Sequence, residues 1–440
     1  MKIKKTEYVK RRKNLMAHME PNSIAILASA NTVLRNGDSE YPFRQSSDLY
    51  YLTGFSEAES VLVLIPGRKQ GESLLFCQEK DPLKELWTGK LMGPEAAVEA
   101  LGVDDAFPVS DIDDILPGLI EGRERVYYAM GKDEHFDHQV MDWVKVIRSK
   151  VRSGAQSPGE FMVLDHLLHE MRLIKSKAEL ELMRHSAQIA ARAHKRAMQA
   201  CVPGKYEYEL EAEYLYEFTR AGCRAPAYSS IVAGGANACI LHYTENNAEL
   251  KNGEMVLIDA GCEYQHYASD ITRTFPVGGK FSPEQKAIYE LVLDAQLAAI
   301  EAVKPGNHWD APHNTTVQVL TSGLVKLGLL KGRVSKLIEK ESYKDFYMHR
   351  AGHWLGIDVH DVGDYKIDGK WRLLEPGMVL TVEPGLYIAP DNKNVDKKWR
   401  GIGVRIEDDV AVTRDGCDVL SKGLPKTVAD IETFMAQAQG

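Results

Sequence analysis

Residues 250–276 read LKNGEMVLIDAGCEYQHYASDITRTFP, a stretch that decides the fold because it puts two carboxylates at the ends of apolar runs. Asp259 closes the run MVLI, and Asp270 opens the returning run ITRTFPV. A tight turn near Tyr264 and Gln265 would pair the runs and put Asp259 opposite Asp270, with Cβ atoms about 5 Å apart. Carboxylates at that distance repel, so we expect one of them to keep its proton or a cation to lie between them.

The same pattern occurs again further along the chain. Residues 374–385, LEPGMVLTVEPG, align without gaps on residues 250–261, so that Glu383 falls on the acidic residue of the first run. A returning strand, GIGVRIE at 401–407, brings Glu407 back towards Glu383. Internal repetition of this kind predicts two related carboxylate hairpins whose four acids meet at one site.

The composition narrows the class of protein. The 440 residues include 54 basic and 63 acidic side chains, with a net charge of −9, which gives no reason to expect nucleic acid or an anionic membrane as a partner. No apolar run reaches the ~20 residues of a membrane span, and no signal peptide is visible. The six cysteines are scattered without a C-x-x-C pair, which predicts reduced thiols in a cytoplasmic protein.

The periodicity predicts two domains. Short strands and helices alternate over residues 1–170, as in an N-terminal α/β domain. Residues 171–440 repeat a plan of helices followed by a carboxylate hairpin, with Pro-Gly at 203–204 and at 305–306 ending a helix in each half. We therefore expect an α+β fold in which the second domain carries a pseudo-twofold internal repeat.

A histidine-rich segment supplies the remaining candidate ligands. His349, His353 and His360 lie in MHRAGHWLGIDVHD, at 348–361. A single histidine is usually a hydrogen-bonded surface or core residue, but four converging carboxylates make a ligand role more credible. Four carboxylates with one imidazole suit two divalent ions bridged by carboxylates and a water molecule.

These motifs resemble the signature blocks of the aminopeptidase P and prolidase family of pita-bread metallopeptidases. The resemblance rests on IDAGCEYQHYASDITRTFPV, MHRAGHWLGIDVHD, LEPGMVLTVEPGLYI and GIGVRIEDDV, together with ILHYTEN at 240–246 and DSEYPFRQSSDLYYLTGF at 38–55. It spans nearly the whole chain and favours the aminopeptidase P branch. The fold that it implies is an N-terminal α/β domain, serving oligomerisation and substrate access, followed by a pita-bread catalytic domain.

The resemblance implies a dinuclear centre, usually of manganese, with zinc or cobalt as alternatives. The metal ligands implied are Asp259, Asp270, His353, Glu383 and Glu407, with Asp270 and Glu407 bridging the ions. The catalytic residues would be His242, His349, His360, Glu383 and Arg405, and the substrate-binding residues His242, His349, His360 and Tyr387. In this scheme Glu383 accepts and returns the proton of the attacking water, and His242 holds the oxyanion.

The implied activity is release of the N-terminal residue from peptides with proline in second position, by attack of a metal-bridging hydroxide. A prolidase-type dipeptidase would use the same ligands, and a non-enzymatic pita-bread binding protein would tolerate their loss. Relatives suggest a homo-oligomer, a dimer or tetramer. Trp87 and Tyr50 of the first domain could reach a neighbouring subunit's site, with packing in the core or on the surface as the equal alternative, and the sequence does not decide whether Asp38 or Trp87 does so.

Four residues near the motifs have other interpretations. Arg350 departs from the family pattern, in which glycine is common at this position. Asp408 and Asp409 fit a solvated turn or backbone caps. Asp361 fits an acid that orients a histidine.

Overall fold

The computed structural model describes residues 2–438. The chain forms two compact units, and the division between them falls between residues 171 and 172. Strands and helices alternate through the first unit. Its helices are α1 (Lys5–His18), α2 (Ser47–Thr53), α3 (Pro82–Thr88), α4 (Pro94–Leu101), α5 (Ile112–Ile120) and α6 (Glu134–Ser149), and α7 (Asp165–Leu173) continues across the division into the second unit. Its strands are β1 (Ser23–Ala28), β2 (Leu34–Asn36), β3 (Ser39–Glu40), β4 (Val61–Leu64), β5 (Ser73–Cys77), β6 (Asp105–Pro108), β7 (Arg125–Tyr128) and β8 (Glu160–Val163).

Six of these strands form one mixed sheet in the order β6-β5-β4-β1-β7-β8. Strand β1 runs antiparallel to β4 and parallel to β7. Helices α5 and α6 pack on this sheet, and Trp143 of α6 is buried in its core. The indole N–H of Trp143 donates to Asp113 of α5 at 2.7 Å, so its polar atom is satisfied where the ring is buried.

The second unit, residues 172–440, contains the repeat. Its helices are α8 (Lys177–Ala200), α9 (Glu207–Arg220), α10 (Pro283–Glu301), α11 (Ala311–Lys326), α12 (Val334–Glu339) and α13 (Val428–Ala438). Its strands are β9 (Ile231–Gly234), β10 (Met255–Asp259), β11 (Glu263–Tyr264), β12 (Tyr267–Ala268), β13 (Thr272–Pro276), β14 (Lys366–Ile367), β15 (Lys370–Trp371), β16 (Val379–Val382), β17 (Gly385–Tyr387), β18 (Gly403–Arg405), β19 (Asp408–Val412) and β20 (Cys417–Val419).

Each half of this unit combines two long helices with a three-stranded sheet, in the orders β13-β10-β9 and β16-β19-β20. The helices α8 and α10 begin in the same way, at capping boxes formed by Ser176 with Glu179 and by Ser282 with Gln285. The mixed content and the repeated halves confirm the expected fold class.

The first carboxylate hairpin differs from the predicted register. The turn residues are Gln265 and His266, both with positive φ, rather than Tyr264 and Gln265. Moving the turn by one residue shifts the pairing by two, so Asp259 pairs with Thr272. Asp270 therefore lies diagonally from Asp259 on the same face, not opposite it. Gln-His lacks the Asn-Gly or Asp-Gly signature of such turns, which is why the sequence misplaced it.

In the second hairpin the two acids, Glu383 and Glu407, lie directly opposite each other. Val382 pairs with Asp408 and Gly385 pairs with Arg405, and this register puts Glu383 across from Glu407 between them. The two hairpins are therefore related in sequence but differ in how their second acid is presented.

Candidate metal centre

A cavity of about 450 Å³ in the second unit is lined by nearly all of the predicted site residues. The exception is Tyr387, which is buried behind the wall. The predicted residues that line the cavity are His242, Asp259, Asp270, His349, His353, His360, Glu383, Arg405 and Glu407. Side chains from both carboxylate hairpins and from the histidine segment thus face one space.

The inner part of the cavity is formed by Asp270, His353 and Glu407. One ligand atom from each lies within 4.8 Å of the others. His353 Nε2 is 3.4 Å from Asp270 Oδ2 and 3.7 Å from Glu383 Oε1. The backbone just before His353 packs closely against strand β16, because a Cβ at Gly352 would lie 2.0 Å from the carbonyl oxygen of Thr381.

The hydrogen bonds of His353 orient it as a metal ligand would be oriented. Nδ1 lies 2.9 Å from the carbonyl oxygen of Trp354, which can only accept, so Nδ1 carries the proton. In the neutral ring the lone pair of Nε2 then faces carboxylate oxygens that can only accept as well. Either a proton or a cation must lie between them, and an Nδ1–H bonded to a carbonyl is the usual arrangement behind a metal-binding Nε2.

Burial perturbs the acids of the cavity. It raises the pKa of Asp259, and it raises the pKa of Glu383 to about 7. Burial, followed by the charge of Asp270, raises the pKa of Glu407 well above its usual range. Burial has the largest single effect on Asp270 and opposes its ionisation, but the contact with His353, the hydrogen bond from Tyr228 and the charge of Arg405 together outweigh burial and lower the pKa of that carboxyl. Four acids that line one cavity fit a site for divalent cations, which would offset their charges.

Asp259 is held by two side chains that cross the cavity. Arg405 Nη2 donates to its Oδ2 at 2.6 Å, and the Tyr228 hydroxyl lies 2.5 Å from its Oδ1 and 2.6 Å from Asp270 Oδ1. A single hydroxyl proton is thus shared between two carboxylates. Sequence reasoning missed Tyr228, because it lies in an irregular segment before β9 with no periodic or motif signal.

Tyr387 connects two of the cavity residues from behind. Its hydroxyl accepts from Arg405 Nη1 at 3.1 Å and lies 2.9 Å from His349 Nε2. His349 Nδ1 donates to the carbonyl oxygen of Arg350 at 2.7 Å, so Nε2 accepts from Tyr387. Burial lowers the pKa of His349 to about 3, and the ring is therefore neutral.

The other two histidines lie on the cavity wall. The His360 ring packs edge-on to His353 with 4.4 Å between centroids, and burial lowers the pKa of His360. His242 lines the cavity together with Leu241 and Thr244.

Two acids beside the site are buried, which corrects the expectation of a solvated turn. Asp408 is 1% exposed and binds Arg273 at 2.7 Å and Lys426 at 2.8 Å; burial opposes ionisation, but these charges lower its pKa. Asp409 does act as a backbone cap, because both of its carboxylate oxygens accept from the Asp270 N–H, at 3.2 and 3.3 Å.

Asp361 also differs from its interpretation as a histidine-orienting acid. Its oxygens accept from Arg172 at 2.6 Å and from Lys175 at 2.8 Å, and all three side chains are buried. The residue joins the start of the second unit to the histidine segment by a buried charge network.

The comparisons with known proteins agree with this geometry. The profile of metallopeptidase family M24 matches residues 181–414, and that of the aminopeptidase P N-terminal domain matches residues 8–127. The chain is 46% identical to an Xaa-Pro aminopeptidase of Escherichia coli over 99% of both chains. It is also 46% identical to one of Haemophilus influenzae, covering 99% of this chain and 98% of the relative.

Solved structures extend the similarity to the whole fold. The structure of the Pseudomonas aeruginosa aminopeptidase PepP matches with a TM-score of 0.99 and 63% identity, covering 100% of this chain and 99% of that one. An alanine variant of Escherichia coli aminopeptidase P in complex with substrate matches with a TM-score of 0.97 and 46% identity, covering 100% of both chains.

Proposed function

The chain belongs to metallopeptidase family M24, and on this premise we propose that it releases the N-terminal residue from peptides with proline in second position. The observation that carries the proposal is the convergence of four carboxylates and one imidazole in a single cavity, in a chain similar over its full length to Xaa-Pro aminopeptidases. Fold similarity alone would not assign an activity, but the donor set is complete.

Divalent ions belong to the chemistry of the family, and we propose that two are bound, with manganese as the native metal and zinc or cobalt as alternatives. Asp259, Asp270, His353, Glu383 and Glu407 would hold them, with Asp270 and Glu407 shared between the two. When bound, the ions supply Lewis acidity and lower the pKa of water in the site.

We assign proton transfer to Glu383. Its carboxylate projects into the cavity, and Thr381 Oγ1 lies 3.3 Å from Oε1, so one oxygen is held while the other faces His349 Nδ1 at 3.8 Å. From this position it would take the proton of the attacking water and return it to the departing nitrogen of proline.

The three histidines that line the cavity beside His353 would orient the substrate. An Xaa-Pro bond is a tertiary amide without an N–H, so the site must recognise proline by its ring rather than by a donor. His349 and His360 would frame that ring, and His242 would donate to the oxyanion that forms at the scissile carbonyl. Arg405 and Tyr387 would act as positioning residues, because they hold Asp259 and His349.

A direct test compares peptides of different length on protein reconstituted with each metal. Hydrolysis of both Xaa-Pro dipeptides and Xaa-Pro-Yaa tripeptides, most rapid with manganese, supports an aminopeptidase. Cleavage of dipeptides alone would assign the prolidase-type activity instead. Absence of any cleavage with every metal would favour a binding protein, which the complete donor set argues against.

The bridging role of Asp270 has its own test. Asp270→Asn removes a charge shared by both proposed metal positions, and we expect it to abolish turnover and to reduce the number of bound ions, measured by elemental analysis of dialysed protein. An Asp270→Asn protein that stayed active without metal would refute the role.

We also propose a homo-oligomer, a dimer or tetramer, formed with help from the first unit. The support is helix α3, where Leu83, Leu86 and Trp87 are 76%, 79% and 87% exposed. Such an apolar surface is typical of a protein contact, and Trp87 or the exposed Asp38 could then approach a neighbouring site. Light scattering of the intact chain would give the assembly.

A cytoplasmic location is proposed as well. All six cysteines are free thiols, as expected in a reducing compartment. Every helix within residues 2–438 is either too short or too polar to span a lipid bilayer.

A further inference from the structure

Arg350 is a positive side chain at the edge of the cavity that the chemistry assigned above does not use. It lines the same cavity as His349 and His360. Its own carbonyl oxygen accepts from His349 Nδ1 at 2.7 Å, so the backbone at this position is fixed relative to the cavity wall.

The guanidinium is positioned by an aromatic ring. It lies over Trp371 with Cζ 4.5 Å from the ring centroid, and Trp371 belongs to the short hairpin of β14 and β15. Lys366, the strand partner of Trp371, has Nζ 4.3 Å from the same ring. Stacking on an aromatic face restricts a guanidinium while leaving its N–H edges available to a planar anion.

Arg350 is not neutralised within the protein. In residues 2–438 it has no carboxylate within salt-bridge distance, unlike Arg172, Arg273 and Arg405, each of which binds a carboxylate at 2.6 or 2.7 Å. The side chain is exposed. Arg350 thus differs from Arg405, the other arginine that lines the cavity, which is bound to Asp259.

We infer that Arg350, held over Trp371, is a specificity-determining residue that binds a carboxylate on the leaving side of a short peptide substrate. The inference rests on the proposed function. His349 frames the proline side of the scissile bond in that scheme, and Arg350 follows it directly in the chain. A carboxylate beyond the proline ring would therefore meet the guanidinium fork in the bidentate geometry that arginine favours.

Such a carboxylate could be the C-terminus of the peptide or an acidic side chain. Three substrates distinguish these two sources. These are Xaa-Pro-Ala with a free carboxylate, the same peptide as its C-terminal amide, and Xaa-Pro-Asp amide, whose carboxylate is a side chain. For manganese-loaded wild-type protein we expect kcat/KM at least about tenfold higher for one or both acidic peptides than for the neutral amide, chiefly through KM.

Arg350→Gln should bring the ratio of acidic to neutral peptides close to one while hydrolysis of the neutral amide is retained. Lys366→Gln is the matched control, because it removes the other positive charge that lies against the Trp371 ring, and Lys366 does not line the cavity. This variant should keep most of the preference for acidic peptides. Trp371→Leu should weaken the preference by freeing the guanidinium.

The outcomes separate the two proposals. Equal hydrolysis of all three peptides by wild-type protein, or an unchanged ratio in Arg350→Gln, overturns the role of Arg350 but leaves the aminopeptidase activity standing. Failure of wild-type protein to cleave any of the peptides overturns the proposed function and this inference with it. A preference for the free acid alone identifies the chain terminus as the carboxylate recognised, and a preference for the aspartyl amide alone identifies a side chain.

Discussion

At the scale of single residues, the cavity depends on side chains that hold one another. The Tyr387 hydroxyl accepts from Arg405 and donates to His349, so a neutral histidine and a positive arginine share one phenol. Arg405 in turn binds Asp259. Removal of the Tyr387 hydroxyl should therefore affect the positions of both Arg405 and His349, while every proposed metal ligand is kept.

Tyr387→Phe tests this connection. We expect kcat/KM to fall about tenfold or more, because a hydrogen bond to a charged partner contributes roughly 1.5–3 kcal/mol. Bound metal should be unchanged. Tyr365→Phe is the matched control, because the Tyr365 hydroxyl accepts from the backbone N–H of Trp354 and Tyr365 does not line the cavity. An equal loss in both variants would indicate a general packing effect.

His360→Ala tests the proposed recognition of the proline ring. Removing an imidazole from the cavity wall should lower the rate on Xaa-Pro peptides more than on Xaa-Ala peptides, because only the former present a ring to be framed. The ratio of kcat/KM for the two series is the measurement. If both the ratio and the rates are unchanged, His360 does not form the proline pocket.

At the scale of elements, the buried network around Asp361 ties residues 172–175, the segment that leads into α8, to the histidine segment. Two cations, Arg172 and Lys175, converge on this one carboxylate. Their charges, together with hydrogen bonds, outweigh the effect of burial and lower the pKa of Asp361. Removal of the Asp361 carboxylate would leave the buried positive charges of Arg172 and Lys175 without the negative charge that they share.

Asp361→Asn should destabilise the second unit by about 3–5 kcal/mol, the usual cost of breaking a buried ion pair. Asp358→Asn is the control, because Asp358 binds the same Arg172 at 2.7 Å but its side chain is 35% exposed, and its loss should cost less than about 1 kcal/mol. Urea midpoints of the three proteins measure the difference.

The pH dependence follows from the direction of the shift. A carboxyl whose folded pKa is lowered contributes its stability above the unfolded pKa, near 4, and loses it as pH falls through the folded value. The gap in unfolding free energy between wild type and Asp361→Asn should therefore be constant from about pH 6 to 8 and shrink below about pH 4. A gap that did not narrow in acid would show that packing, not charge, is responsible.

At the scale of the whole molecule, four acids from two hairpins, two of them buried and two half-buried, repel one another unless cations lie between them. A ligand that binds only the folded state stabilises it by RT ln(1 + [L]/Kd), about 2.7 kcal/mol at a hundredfold excess over Kd. Chelation followed by addition of manganese should therefore raise Tm by several degrees. Asp270→Asn should show a much smaller increase, and an equal increase in both proteins would place the metal elsewhere.

The sequence by itself determined the local features. Apolar runs ending in acids and the repeat between residues 250–261 and 374–385 are patterns of neighbouring residues. They fixed the two hairpins and the histidine segment as candidates, because helix and strand periodicity is readable within a single element. The family resemblance named a ligand set that the cavity brings together.

Only the tertiary structure decided the register of the first hairpin, the burial of the acidic residues and the hydrogen-bond partners of the site residues. Asp259 pairs with Thr272 because an unmarked Gln-His turn sets the hairpin, and Arg405 reaches Asp259 from 146 positions away in the chain. Tyr228 and the buried Asp408 carry no local signal that distinguishes them from loop residues. Their roles arise from packing between distant segments, which folding must bring together before burial and charge can act on them.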